Sequence, residues 1–467
     1  MKEKVYLLEN HAFEIDKRYY IYEVYGENIL SVDYVTYCVT KTSNNKFVEE
    51  IIKELHSTQG ISEIEIVEAI NELKDIGLLK EKPEELKHRC SDIDFPTEMG
   101  ISGLALHLVH DCNLRCTYCY GAGGSFGGPR DYMSEETAIK AIDFLLKQNP
   151  KNKKFSIIYF GGEPLLNFEL LKKVTKYCRD IEKRSDKSFS LGMTTNGTLV
   201  SEQVLQFCDD NNISISISID GTKEVHDECR KCADGAGSFD KLIDNVNNLL
   251  RKRDGKATAR ITLTRKNLAL YDILNGVENM GFKKVNVALV SVDENSPLNI
   301  KQSDFPILRE EYIKIAKDVL NKSKRKEYSA ANIFYPYLKM FHKKQIMFYN
   351  CGAGRHYLAV SPDGGLYLCH RFAGMDEYKL GDVEEGLIEG KQKDIINSYV
   401  DAKNKCDICW ARYICGGGCF YNSVEKGGKI NDAPEYYCDS YKDIFEIAIY
   451  LYELIKESNP EFLDQLV

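Results

Sequence analysis

The sequence predicts an α/β protein built around a partial (β/α)6 barrel, with a smaller unit before it and a cysteine-rich region after it. Three observations carry this expectation. Between about Leu104 and Lys324, six apolar runs alternate with helical stretches. Three cysteines follow directly after the first run, and seven more crowd the last third of the chain. Alternation of that kind reads as βαβ units around a parallel sheet, and six of them make an incomplete barrel. Function in such a barrel belongs at the C-terminal ends of the strands, where the three cysteines lie.

The N-terminal unit, residues 1–88, has a different pattern. Strand-like segments at 4–8, 18–25 and 29–32 precede helical stretches at 46–57 and 62–76, then Gly77-Leu78-Leu79. Ser62 with Glu65 forms a plausible capping box for the second helix. A small sheet, helices and a short final wing make a winged-helix arrangement. Its second helix carries Glu63, Glu65, Glu68, Glu72 and Asp75, which disfavours contact with DNA. Structural packing alone is the plainer alternative. Residues 89–103 are expected to link this unit to the barrel.

The barrel is assigned to residues 104–331. Its strands are expected at 104–109, 155–160, 188–194, 213–219, 257–263 and 284–290, and helices at 134–147, 167–183, 201–211 and 238–252. The C-terminal region, 332–467, reads as rich in loops.

Composition narrows the function. The chain has 467 residues, 43% hydrophobic and 28% charged, within the range of ordinary soluble proteins. A net charge of −9 argues against a surface that tracks nucleic-acid phosphates. No apolar run approaches the length of a membrane span, and the first twenty residues lack the core of a signal peptide. A cytoplasmic protein is the expectation. Sixteen cysteines in such a chain are not explained by disulfides. Ten of them cluster with metal-ligand spacing, whereas Cys38, Cys90, Cys178, Cys208, Cys229 and Cys232 are scattered and read as small core residues. Arg230 and Lys231 could instead lower the pKa values of Cys229 and Cys232 and make them reactive.

The run VHDCNLRCTYCYG places Cys112, Cys116 and Cys119 at C-x3-C-x2-C spacing. A four-iron–four-sulfur cluster needs four cysteines for closure, so three leave one iron open. With Tyr118 before the third cysteine, this motif resembles the radical S-adenosylmethionine (radical SAM) family. The resemblance implies that the methionine part of SAM chelates the open iron and that its sulfonium is cleaved to a 5′-deoxyadenosyl radical. The alternative from the residues alone is a zinc site or buried free thiols. FGGEP at 160–164 is similar to the family's methionine-binding motif, which assigns Gly161, Gly162 and Glu163 to SAM. Asn196 in TTNGT, and Ser218 and Asp220 in SISIDG, end the third and fourth strands and can bond ribose hydroxyls or the methionine carboxylate. Turn formation is their plainer role. Arg230 matches a family arginine near substrate or carboxylate.

Cys351, Cys369, Cys406, Cys409, Cys415, Cys419 and Cys438 match, in order and spacing, the SPASM extension of radical SAM proteins. By that analogy, Cys406, Cys409, Cys415 and Cys438 close one auxiliary four-iron–four-sulfur cluster. Cys351, Cys369 and Cys419 hold another, giving three clusters in all. Seven thiolates against eight positions leave one auxiliary iron open, unless a distant cysteine such as Cys90 fills it. Zinc is again the alternative, because C-x2-C pairs also bind it. The runs YCYGAGGSFGGPRDYMS and CGAGRHYLAVSPDGGLYLCHRF resemble thioether-forming peptide maturases of the sactipeptide and ranthipeptide types. That implies a ribosomal precursor peptide as substrate, with residues 1–88 capturing its leader as an added strand. It also implies a flavodoxin or ferredoxin as electron donor. Carbon–carbon crosslinking, side-chain oxidation of the sulfatase-maturase kind, and a non-catalytic zinc adaptor are the alternatives.

Overall fold

The computed structural model describes residues 3–83, 89, 100–330 and 333–466. Most of the expected linker, and Cys90, lie outside these residues.

The barrel strands are β7 (Gly103–Val109), β8 (Lys154–Gly161), β9 (Ser188–Thr195), β10 (Ile213–Ser218), β11 (Thr258–Leu263) and β12 (Lys284–Leu289). They pair in parallel and in chain order. Every residue of β7 is buried, as expected of a parallel strand covered on both faces. Helices return along the outside and are defined by side-chain caps: Ser134 accepts from the Thr137 N–H and Ser201 from the Val204 N–H.

The sheet does not stop at β7. β13 (Tyr357–Val360) pairs in parallel with its free edge, and β14 (Gly365–Tyr367), β15 (Lys379–Asp382) and β16 (Gly386–Leu387) extend it antiparallel. The barrel and the cysteine-rich region thus share one ten-stranded sheet. That region is also less loop-rich than its sequence implies. The 24-residue helix Glu435–Ser458 packs on Phe305–Lys324 and Tyr335–His342, and Cys438 occupies its first turn.

The N-terminal unit holds two sheets. β1 (Lys4–Leu7) lies between β5 (Lys46–Phe47) and β6 (Leu79–Lys80). β2 (Asn10–Ile15), β3 (Arg18–Glu23) and β4 (Asn28–Val32) form an antiparallel meander. β2 and the helix Tyr34–Thr42 are elements that the sequence reading lacks. The helix is rich in valine and threonine, which favour strands, yet Asp33 caps it by accepting from the Thr36 N–H at 2.7 Å. The meander is buried on both faces, following the strand period of two. Ala12 and Ile21 join the N-terminal core, whereas Phe13, Ile15, Tyr20, Tyr22 and Val24 join the main core. His11 stacks on Trp410 with ring centres 3.9 Å apart, and its Nε2 lies 2.7 Å from Glu446. No helix among the described residues is long and apolar enough to cross a membrane.

Candidate active site

The loop after β7 carries the cysteine triad and is held from two sides. On one side, the Gly162 N–H donates to Val109 O and the Glu163 N–H to Asp111 O, each at 2.9 Å. This closeness requires glycine. Gly161 has φ +117°, and a Cβ there would meet Val109 O at 2.3 Å; one on Gly162 would meet Asp111 O at 2.0 Å. On the other side, the Arg115 N–H donates to Lys231 O and the Thr117 N–H to Cys229 O. Cys229 and Cys232 are buried in this backing segment, and burial raises the Cys229 thiol pKa rather than making it reactive. Their role is packing.

A cavity of about 360 Å³ opens over the triad, within the range of small-molecule pockets. Cys112, Cys116, Tyr118, Cys119, Gly161, Gly162, Asn196, Ser218 and Arg230 all line it. Asn196 Nδ2 lies 3.7 Å from Cys112 Sγ and 2.8 Å from Asn113 Oδ1. The carboxylates of Glu163 and Asp220 are turned to protein donors. The Glu163 carboxylate is fully buried between β8 and β9, accepting from the Leu165 N–H (3.1 Å), Thr195 Oγ1 (2.8 Å) and the Asn196 N–H (2.8 Å). Its job is to fix Asn196, and burial pushes its pKa up to about 7 against the hydrogen bonds that lower it. Asp220 is likewise buried. It accepts from Arg230 Nε at 2.9 Å, the Thr262 N–H at 2.9 Å and the Tyr118 hydroxyl. Asp220 therefore neutralises Arg230 and orients it over the Tyr118 ring, 5.4 Å from its centre.

The sequence reading missed Arg260, Asn286, His370 and Arg371, which complete the wall. Arg260 and Asn286 sit on strands at positions that only the pairing register reveals. His370 and Arg371 are the two residues after Cys369, and that proximity was the available signal.

The C-terminal cysteines separate into two sets. Cys406, Cys409, Cys415 and Cys438 line one pocket with Pro434, Tyr441 and Phe445. Cys351, Cys369 and Cys419 neighbour one another electrostatically. Arg371 Nη1 lies 4.0 Å from Cys419 Sγ and is held by Asn422 Oδ1 at 2.9 Å. Lys403 is buried near both sets and donates to Gly417 O at 2.9 Å. Of the other described cysteines, Cys38, Cys178 and Cys208 lie in hydrophobic cores, and the remaining ones are in the triad or behind it.

Two observations bear on metal binding by these cysteines. Among the described residues, no three histidines, cysteines or carboxylates converge tightly enough to hold a single metal ion. Burial pushes the thiols up, to about 12 for Cys112, Cys369, Cys406 and Cys438 and to about 11 for Cys116 and Cys415. Ligands so buried become thiolates when a metal displaces their protons. Buried thiols grouped around a cavity in this way suit a metal or iron–sulfur centre.

A radical SAM superfamily model matches residues 106–267. The chain is 25% identical over 373 residues to a cysteine-type anaerobic sulfatase-maturating enzyme of Clostridium novyi, covering 74% of this chain and 95% of that protein. It is 31% identical over 234 residues to an uncharacterized protein of Methanocaldococcus jannaschii, covering 47% and 77%. Among solved structures, native anSMEcpe with bound AdoMet and Cp18Cys peptide superimposes with a TM-score of 0.65 at 21% identity, over 77% of this chain and 99% of that one. The chain belongs to the radical SAM superfamily. Membership implies S-adenosylmethionine and a four-iron–four-sulfur cluster as cofactors.

Proposed function

We propose that this enzyme modifies a ribosomally made, cysteine-containing precursor peptide by joining a cysteine sulfur to a carbon as a thioether. The observation that carries the reading is the three-cysteine set Cys351, Cys369 and Cys419, beside a pocket wall that it shares with the SAM site through Arg371 and His370. Every other described cysteine is committed elsewhere, so a peptide thiolate is the natural fourth ligand of that set. In this reading Cys112, Cys116 and Cys119 hold the first cluster, and Cys406, Cys409, Cys415 and Cys438 close the second auxiliary one.

When bound and reduced, SAM and its cluster supply a 5′-deoxyadenosyl radical that takes a hydrogen atom from the peptide. The chain's residues do the positioning. Gly161 and Gly162 bring the end of β8 against the cysteine loop, Asn196 is aimed at Cys112 by Glu163, and Arg230 with Ser218 would hold the methionine carboxylate. Tyr118 and the apolar wall exclude water. In balance, the substrate gives up one hydrogen atom, one thiol proton and one electron as the C–S bond forms. The N-terminal unit binds the leader by strand addition, and a flavodoxin or ferredoxin supplies electrons.

The sulfatase-maturating relatives favour a second reading, oxidation of a cysteine side chain. Incubation with SAM, dithionite and a cysteine-containing precursor decides between them. A thioether lowers the peptide mass by two hydrogens and removes one iodoacetamide-reactive thiol. Mass loss with the thiol count unchanged would point to carbon–carbon crosslinking, and a carbonyl reactive toward hydrazine would point to cysteine oxidation. Either result would overturn the thioether reading.

A further inference from the structure

Charge bookkeeping around the cavity leaves one cation unmatched. The lining contains three arginines and no aspartate or glutamate. Arg230 is matched by Asp220 at 2.9 Å. Arg371 lies against Cys419 Sγ, stacks 4.0 Å over Tyr421 and is tied to Asn422, so the thiolate set answers its charge. Arg260 is different. It is half-buried, and its guanidinium makes no hydrogen bond or ion pair among the described residues.

Its place in the sheet is specific. Arg260 pairs with Ser218 of β10 on one side and Asn286 of β12 on the other. Residues directly opposite across paired strands point to the same face, so Ser218, Arg260 and Asn286 form one polar row across the cavity wall. All three line the cavity. Around them stand Phe126, Phe160, Val287 and Leu289, which lower the local dielectric and strengthen any ion pair made there. An arginine fork flanked by an amide and a hydroxyl is a carboxylate receptor in its donor set, since guanidinium recognises carboxylate with two parallel N–H donors.

We infer that Arg260, with Asn286, binds a carboxylate of the substrate, so that the peptide residue presented for hydrogen abstraction is an aspartate or glutamate. The inference rests on the peptide-modifying reading above but not on which bond is formed. The same chemistry could be supplied by the methionine carboxylate of SAM, and the experiment separates the two sources.

Fluorescein-labelled heptapeptides containing one cysteine and a single Asp, Asn or Lys at a second position are titrated into the cluster-loaded enzyme with SAM, and binding is read by anisotropy. The Asp peptide should bind about tenfold more tightly than the Asn peptide, and the Lys peptide should bind weakest. Arg260→Gln should bring the Asp preference below twofold, whereas Arg260→Lys should retain part of it. SAM affinity, measured by equilibrium dialysis, should change less than twofold in both variants. Iron content reports whether each variant is intact, and Arg260→Lys carries the test should Arg260→Gln lose its clusters. Equal binding of Asp and Asn peptides by the unsubstituted enzyme would overturn the inference. So would a large rise in the SAM dissociation constant of Arg260→Gln together with lost discrimination against decarboxylated SAM, which would place Arg260 on the cofactor. The yield of 5′-deoxyadenosine with each peptide should follow the same order. An Asp preference that persists while the thiol count stays unchanged would refute the thioether reading and leave the carboxylate site standing.

Discussion

Arg412 should be the point at which the N-terminal unit is most sensitively joined to the C-terminal cysteine-rich region. Its side chain is 2% exposed, lies between Cys409 and Cys415, and is gripped by both carboxylate oxygens of Glu9. Burial alone would lower its pKa; the Glu9 carboxylate more than reverses that. Glu9→Gln keeps the shape and removes the charge. Stripping one partner from a buried ion pair costs roughly 3–5 kcal/mol. Asp401 remains 3.6 Å from Nε and Glu9 is partly exposed, so a cost of about 2–3 kcal/mol is expected here. That is roughly a 30- to 150-fold rise in the open population of the docked surface. Hydrogen exchange read by mass spectrometry should show it in β2 and β3, whose residues Phe13, Ile15, Tyr20 and Tyr22 pack into the main core. Glu9→Gln with Arg412→Met should lose less protection than the two single variants summed, because both charges of the pair go together while Asp401 keeps its bond from the Tyr413 hydroxyl. Unchanged exchange in the single variant, or strictly additive losses in the double, would refute the reasoning.

Asp220→Asn should free Arg230 and Tyr118 together and raise the apparent KM for SAM about tenfold, with iron content preserved; unchanged KM would remove the positioning role. Glu163 has a pKa near 7 in the fold against 4.5 ordinarily, so its contribution to stability is greatest at low pH and is lost as pH rises toward 7. Relative to Glu163→Gln, the unsubstituted protein should lose about 2–3 kcal/mol between pH 5 and pH 8, and parallel unfolding midpoints across that range would contradict this. Lys403→Met removes a buried positive charge beside both C-terminal cysteine sets. It should lower the reduction potential of the auxiliary clusters proposed for those sets by on the order of 50–100 mV, read by redox titration, and an upward shift would refute the assignment.

The barrel was legible because a parallel strand buried on both faces must be a short apolar run between helices. The expected ends of β7 to β12 agree with the observed ones to within one residue. The N-terminal hairpin was not legible. β2 and β3 are joined by Asp16-Lys17, both at positive φ, where a glycine would have announced the turn. In the site, glycine and cysteine motifs pointed to the cavity because their spacing is local. The protein donors that hold Glu163 and Asp220 were not legible, because a carboxylate at a strand end looks the same in sequence whatever it faces. Arg260 escaped notice because its partners, Ser218 and Asn286, are distant in the chain and meet it only through register.

Removal of residues 1–88 is therefore a poor test of leader binding. It would strip Phe13, Tyr20 and Tyr22 from the core they share with the rest of the chain.

The pairing of β13 with β7 limits how this enzyme can be taken apart. A chain cut before Tyr357 would leave Gly103–Val109, the strand that aims the cysteine triad, as an open edge of six apolar or small residues and His107, with no acidic or basic chain to blunt it. Such an edge recruits other strands and aggregates. Shuffling C-terminal regions among relatives would succeed only with the seam moved into the stretch before β13, carrying that strand along with the cysteines it precedes. The two cysteine-bearing regions are in that sense one inheritance, passed on whole or not at all.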